Sequence, residues 1–126
     1  MGELGGDIML KRLHHVAIIV SSESGVDFYK ALGFKEENRI ERGYDQIVWL
    51  IGYGEKLELF IDETHPARIT NPEALGLRHL AFEVDDVNEE WERLIQFNPE
   101  PIRTKDDGKK VFFIKDPDGM PIEIRN

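Results

Sequence analysis

The chain contains no cysteine. That excludes disulfides, thiolate metal ligands and a cysteine nucleophile. It also lacks any apolar run of membrane-spanning length. Its amino terminus, Met1-Gly2-Glu3-Leu4-Gly5-Gly6-Asp7-Ile8, has neither a basic region nor an apolar core of the secretory kind. Excess positive charge is missing too: 25 acidic residues face 16 basic ones, a net charge of −9. Nucleic acid and anionic membrane both call for a basic surface, so neither is expected as a partner. These absences make the chain a cytoplasmic, soluble protein by expectation. Its length of 126 residues suits one domain with a real core.

What is present is a repeat. Leu13-His14-His15-Val16-Ala17-Ile18-Ile19-Val20 reads like Leu77-Arg78-His79-Leu80-Ala81-Phe82-Glu83-Val84, at an offset of 64 residues. Gly54-Glu55-Lys56-Leu57-Glu58-Leu59 reads like Gly119-Met120-Pro121-Ile122-Glu123-Ile124, at an offset of 65. His15 thus pairs with His79 and Glu58 with Glu123. Two copies packed about a pseudo-twofold would carry these four side chains to one place. Two imidazoles with two carboxylates form a metal site.

Each copy predicts the same element order. In the first, His15–Val20 is a strand rich in β-branched residues. Ser21-Ser22-Glu23-Ser24 opens a helix that Gly33 ends. Strands follow at about Phe34–Glu41, Asp45–Ile51 and Lys56–Ile61. In the second, Leu77–Val84 is a strand. Asp86 caps a helix with Glu89 three residues on, and Val87, Trp91 and Leu94 form its core-facing stripe. Asn98-Pro99 breaks that helix. Pro101–Thr104, Lys110–Lys115 and Met120–Arg125 complete the set. Residues 1–10 read as a disordered leader and 11–126 as one domain, with modules at 13–61 and 77–125 and a linker at 62–76. The fold expected is α+β: two βαβββ modules related by pseudo-twofold symmetry, forming a half-open cup.

Strand alternation sharpens the site. One helix per module covers one face of a four-stranded sheet and leaves the other to meet something else. Leu80, Phe82 and Val84 make the apolar face of their strand, and His79, Ala81 and Glu83 the opposite one. Val16, Ile18 and Val20 likewise oppose His15, Ala17 and Ile19. Leu57, Leu59 and Ile61 oppose Glu58, and Ile122 and Ile124 oppose Glu123. All four candidate ligands fall on the face without a helix. Nitrogen and oxygen donors without sulfur suit Ni²⁺, Co²⁺ or Zn²⁺ first, then Mn²⁺ or Fe²⁺. A purely structural zinc site is the weaker alternative, because a ligand set inside a cup is accessible.

Other residues carry less. His14 lies on the opposite pleat from His15, and His65 lies in the linker. Asp85-Asp86 reads as a helix start, Trp91 as core, and Asp116-Pro117-Asp118-Gly119 as a turn with structural carboxylates. Trp49, Phe60 and Phe113 suit the cup lining or ordinary packing equally well. Arg39, Arg42, Arg68, Arg78 and Arg103 are all candidates to hold a substrate carboxylate, and the sequence does not choose among them.

The segments Leu13–Ile18, Phe28-Tyr29-Lys30-Ala31-Leu32-Gly33-Phe34, Gly76–Phe82 and Asp116–Glu123 together resemble the vicinal oxygen chelate superfamily. That superfamily includes glyoxalase I, fosfomycin-resistance proteins, extradiol dioxygenases and methylmalonyl-CoA epimerase. The resemblance runs from about Leu13 to Arg125. It implies metal ligands at His15, Glu58, His79 and Glu123. Glu58 at the fourth position is similar to the bacterial glyoxalase I branch, whereas extradiol dioxygenases use two histidines and one glutamate. It further implies a lyase or isomerase that takes a 2-oxoaldehyde–thiol hemithioacetal to a 2-hydroxyacyl thioester through an enediolate. Glu123 or Glu58 would be the catalytic base, with Glu123 preferred. A homodimer is implied, with each site built from one chain or from two. The alternatives on the same fold are a thiol transferase, a dioxygenase, an epimerase or a small-molecule binding protein.

Overall fold

The computed structural model describes residues 8–126. Residues 1–7 of the expected leader lie outside the described residues. Each module folds in the expected order. The first has β1 (Val16–Val20), α1 (Glu23–Ala31), β2 (Lys35–Glu41), β3 (Gln46–Gly52) and β4 (Glu55–Ile61). The second has β5 (Leu80–Glu83), α2 (Val87–Arg93), β6 (Arg103–Thr104), β7 (Lys110–Lys115) and β8 (Pro121–Arg125). A short 3₁₀ turn, Ile95–Phe97, follows α2. The sheet orders β1-β4-β3-β2 and β5-β8-β7-β6 are the same topology twice. In both sheets the outer strand is parallel to its neighbour and the rest is antiparallel.

The caps explain the helix limits. Ser22 accepts the amide of Ser24 at the start of α1. Asp86 accepts the amide of Glu89 at the start of α2, at 3.1 Å. Past Leu32 the chain turns through Gly33 at φ 118°, a conformation that costs glycine least. Glycine is needed there twice over, since an added Cβ would collide with the Tyr53 hydroxyl. The Tyr53 hydroxyl itself donates to the carbonyl of Leu32.

β5 is shorter than the sequence suggests, beginning at Leu80 and not at Leu77. The reason is a competing partner. The Arg68 guanidinium binds the carbonyls of Leu77 and Arg78, at 3.4 and 2.9 Å, so those groups are satisfied by the linker. α2 is also short. Trp91 is half-buried and its indole N–H donates to the carbonyl of Glu100 at 2.9 Å, so it is a tether as well as packing.

The strands alternate as expected, and this decides how the modules meet. Val20, Val48, Leu50 and Leu59 of the first sheet are fully buried, as are Phe112 and Ile122 of the second. They belong to one continuous core with Val26 and Phe28 of α1 and with Leu94. The helix-bearing faces of both modules therefore bury each other's apolar surface. Phe28 meets Phe97 edge-on at 5.1 Å, and Phe34 meets Phe82 at 6.0 Å. Arg93 reaches across to the carbonyl of Ala31 at 2.7 Å.

Polar pins reinforce the same junction. Asp116 is buried and accepts from the Tyr29 hydroxyl at 2.8 Å and from the amides of Asp118 and Met120, both at 2.9 Å. Asp118 accepts from the backbone and hydroxyl of Ser21, at 2.9 and 2.6 Å. The Asp116–Gly119 turn is thus structural.

Candidate metal centre

Both sheets present the same local arrangement on the face turned away from the shared core. In the first, Ala17 lies opposite Glu58 in the parallel pairing of β1 with β4. In the second, Ala81 lies opposite Glu123 in the pairing of β5 with β8. His15 and His79 stand two residues before those alanines, on the same side of the pleat. Each histidine reaches its glutamate. His15 Nε2 is 3.3 Å from Glu58 Oε1, and His79 Nε2 is 2.8 Å from Glu123 Oε1.

A third member of the arrangement is aromatic. Trp49 is registered against Glu58 and Phe113 against Glu123. Trp49 packs edge-on to His15 at 4.9 Å, and Phe113 edge-on to His79 at 5.1 Å. These rings fix the imidazole planes from the side. The sequence held the signal: Trp49 and Phe113 are also 64 residues apart. The repeat is thus a triad in each copy.

The remote nitrogen of each imidazole is engaged as well. Arg78 Nη1 is 2.9 Å from His79 Nδ1. Guanidinium only donates, so Nδ1 accepts and the ring proton sits on Nε2, donated to Glu123. His14 Nδ1 is 2.8 Å from His15 Nδ1, so His14 orients the ring beside it. Arg125 Nη1 lies 3.5 Å from the second oxygen of Glu123.

The donor types, imidazole nitrogen and carboxylate oxygen, are ones a divalent ion accepts. Two nitrogen or oxygen donors about 2.1 Å from one ion, at octahedral to tetrahedral angles, lie about 3–3.4 Å apart. His15 and Glu58, at 3.3 Å, have that spacing, whereas His79 and Glu123, at 2.8 Å, stand at hydrogen-bond distance. For Nε2 of His79 to serve as ligand, its proton must move to Nδ1 and Arg78 must give up its bond there.

The two pairs do not meet within the chain. Among the described residues, no three histidine, aspartate or glutamate side chains gather closely enough to hold one ion. The cause is the packing just described. Helix faces turn toward each other, so the ligand faces turn apart. Each chain carries two separate His–Glu pairs.

The remaining candidates sort cleanly. His65 pairs with Asp62 at 3.3 Å. Arg39 is clamped by Glu23 and Glu36, and Arg42 by Asp45 at 2.6 Å. Arg68 is spent on backbone carbonyls. No helix among the described residues is long and apolar enough to cross a membrane.

Comparison with known proteins agrees with this architecture. The Glyoxalase/Bleomycin resistance protein/Dioxygenase superfamily profile matches residues 12–124. The uncharacterised protein YwkD of Bacillus subtilis (strain 168) is 40% identical over 125 residues, covering 93% of this chain and 98% of that one. The crystal structure of the glyoxalase family protein from Enterococcus faecalis superposes with a TM-score of 0.83 at 39% identity, covering 92% of this chain and 98% of that one. The lactoylglutathione lyase from Agrobacterium tumefaciens shares the fold at 22% identity, with a TM-score of 0.64 over 92% of this chain and 93% of its own. The duplicated βαβββ architecture and these matches agree: the chain belongs to the glyoxalase/bleomycin resistance protein/dioxygenase superfamily.

Proposed function

We propose that the protein is a metal-dependent lyase or isomerase of the glyoxalase I type, active as a homodimer in which each site joins His15 and Glu58 of one copy to His79 and Glu123 of the other. The observation that carries this reading is the pair of matched His–Glu half-sites on sheet faces that the chain's own core leaves open. Ile19, Ile40 and Ile51 lie on the ligand-bearing side of the first sheet and are 49%, 41% and 38% exposed. A second copy apposed to that face would cover them while completing the ligand set.

A divalent ion held by two imidazoles and two carboxylates supplies Lewis-acid stabilisation to negative charge on vicinal oxygens. The chain's own residues then do the proton work. A hemithioacetal becomes a 2-hydroxyacyl thioester when its carbon-bound proton moves to the adjacent carbon and its hydroxyl proton passes to the neighbouring oxygen. Glu123 takes the carbon-bound proton and delivers it to the adjacent carbon. Glu58 is the pseudosymmetric alternative on the other side. The edge-on rings of Trp49 and Phe113 keep the imidazoles in place and water away from the carboxylates.

Mixing variants tests the shared site. Histidine-deleted chains, His15→Ala in one preparation and His79→Ala in the other, each lose one ligand from every site. After subunit exchange, mixed dimers regain one intact site, so about a quarter of all sites recover. Recovery of that share of metal binding and of turnover of methylglyoxal–thiol adducts is the expected result. No recovery in demonstrably mixed dimers would refute the two-chain site. The Glu123→Gln variant should keep its metal and lose turnover. Full turnover in that variant would pass the base role to Glu58.

A further inference from the structure

Of the five arginines that the sequence offers for an anion, four are committed. Arg39, Arg42 and Arg68 are held as described above, and Arg78 is bound to Glu73 at 3.1 Å and to His79. Arg103 is different. Among the described residues it forms no ion pair, and its guanidinium lies over the Phe113 ring at 6.0 Å from the centroid. Phe113 is the same ring that packs edge-on to His79. One aromatic side chain therefore separates an uncommitted guanidinium from the second half-site. Lys115, two residues along β7 and on the same side of the pleat, also forms no ion pair among the described residues.

Arg103, Lys115, Phe113 and Arg78 line one cavity of about 620 Å³, together with Glu73 and Glu100. Glu73 is neutralised by Arg78, and Glu100 is the one opposing carboxylate. Arg103 and Lys115 thus stand in one cavity beside the second half-site, each without a carboxylate partner among the described residues. Free guanidinium resting on an aromatic face is pre-organised for two-point binding of an oxyanion.

We propose that this cavity is an oxyanion subsite, in which Arg103 and Lys115 hold a carboxylate or phosphoryl group on the substrate and so place its reacting carbons over His79 and Glu123. The inference rests on the metal-site reading above for what lies next door, and names the class of substrate that reading leaves open. Arg103 forks onto two oxygens, Lys115 adds a point charge, and Phe113 sets the distance to the metal pair. The substrate is then an anion with one charged end remote from its reactive carbonyl. Uncharged thiol adducts would bind without that anchor.

Calorimetric titration of the metal-loaded dimer with succinate, and separately with inorganic phosphate, tests this without any turnover. Wild type should bind at least one of the two. Arg103→Ala should weaken that binding about tenfold or more, and Lys115→Ala by a smaller factor. Lys105→Ala removes a charge outside the cavity and should leave binding unchanged. Tighter binding of succinate identifies a carboxylate, and of phosphate a phosphoryl group. Failure of both ions to bind, or equal weakening by Arg103→Ala and Lys105→Ala, would overturn the proposal. Both residues are exposed, so neither variant threatens folding. The two readings fail separately. Anion binding through Arg103 with no hemithioacetal turnover removes the lyase and keeps the subsite. Turnover of charged and uncharged adducts alike, with the same KM in Arg103→Ala, removes the subsite and keeps the lyase.

Discussion

Tyr29→Phe is the most informative single perturbation of the fold. The Tyr29 side chain is fully buried in α1, and its hydroxyl donates to Asp116 across the junction of the two modules at 2.8 Å. Removing the hydroxyl leaves one carboxylate oxygen without its protein donor in a buried place. The cost of such an orphaned acceptor is about 1–3 kcal/mol. For a chain of this length each kcal/mol moves the melting temperature by about 4 °C, so Tm should fall by about 4–12 °C. The deficit should depend on pH. Burial raises the Asp116 carboxyl, while the Met120 amide, the Tyr29 hydroxyl and the Asp118 amide pull it back down. Loss of the hydroxyl raises it further. A carboxyl whose folded pKa is raised contributes stability that is fully present below the unfolded value of about 3.9 and is lost as pH rises through the folded value. The variant's deficit is therefore largest at neutral pH and shrinks toward pH 4. Carboxylates that behave the other way, such as Glu36, which Arg39 and Lys30 hold down to about 2, are common to both proteins and cancel in the difference. Urea denaturation at fixed protomer concentration, repeated from pH 4 to pH 8, measures it. A deficit that stays constant across that range, or a Tm change under about 1 °C, would refute the account of Asp116 as a buried carboxylate held by this donor.

Gly33→Ala should destabilise the protein by about 1–3 kcal/mol, because φ is 118° there and the new Cβ would displace the Tyr53 hydroxyl. Adding Tyr53→Phe should recover only the part due to the clash, which a double-mutant cycle in thermal denaturation resolves. Asp118→Ala removes the acceptor of two hydrogen bonds from Ser21 and should cost about 1–2 kcal/mol. Ser21→Ala, which loses only the hydroxyl, should cost less than half as much by the same assay.

The fold was legible because two independent signals agreed: strand alternation, and repetition at an offset of 64 to 65 residues. β7 falls at Lys110–Lys115 as expected, since its alternation is bounded on both sides by turn residues. Alternation alone overextends β5 at its start, because nothing in a local window shows that Arg68, nine residues before Leu77, takes the carbonyls of Leu77 and Arg78. The His–Glu pairing within each copy was legible from spacing and pleat. Trp49 and Phe113 obey the same offset, but spacing alone leaves cup lining and ordinary packing equally good explanations of an aromatic in a strand. The choice of Arg103 among five arginines was out of reach. It depends on which acceptors the other four meet in three dimensions.

The same duplication that made the ligands visible also keeps them apart within a chain. Each module must bury the face beneath its helix, and the nearest matching surface is the other module's. Among the described residues, eighteen buried apolar side chains drawn from both halves form the one cluster that records that solution. Once helix faces are spent on each other, both His–Glu faces point outward, and pseudosymmetry within the chain cannot bring them together. In the proposed dimer a second copy would do so, covering Ile19, Ile40 and Ile51 on the first sheet's outward face, while an ion would draw four donors into one place. Stability and metal binding should then be coupled through protomer concentration: dilution should weaken metal binding, and metal should raise Tm less strongly in dilute protein than in concentrated protein. A chain that binds one ion per monomer with full affinity at dilutions where it is monomeric by sedimentation would break that coupling, and with it the two-chain site.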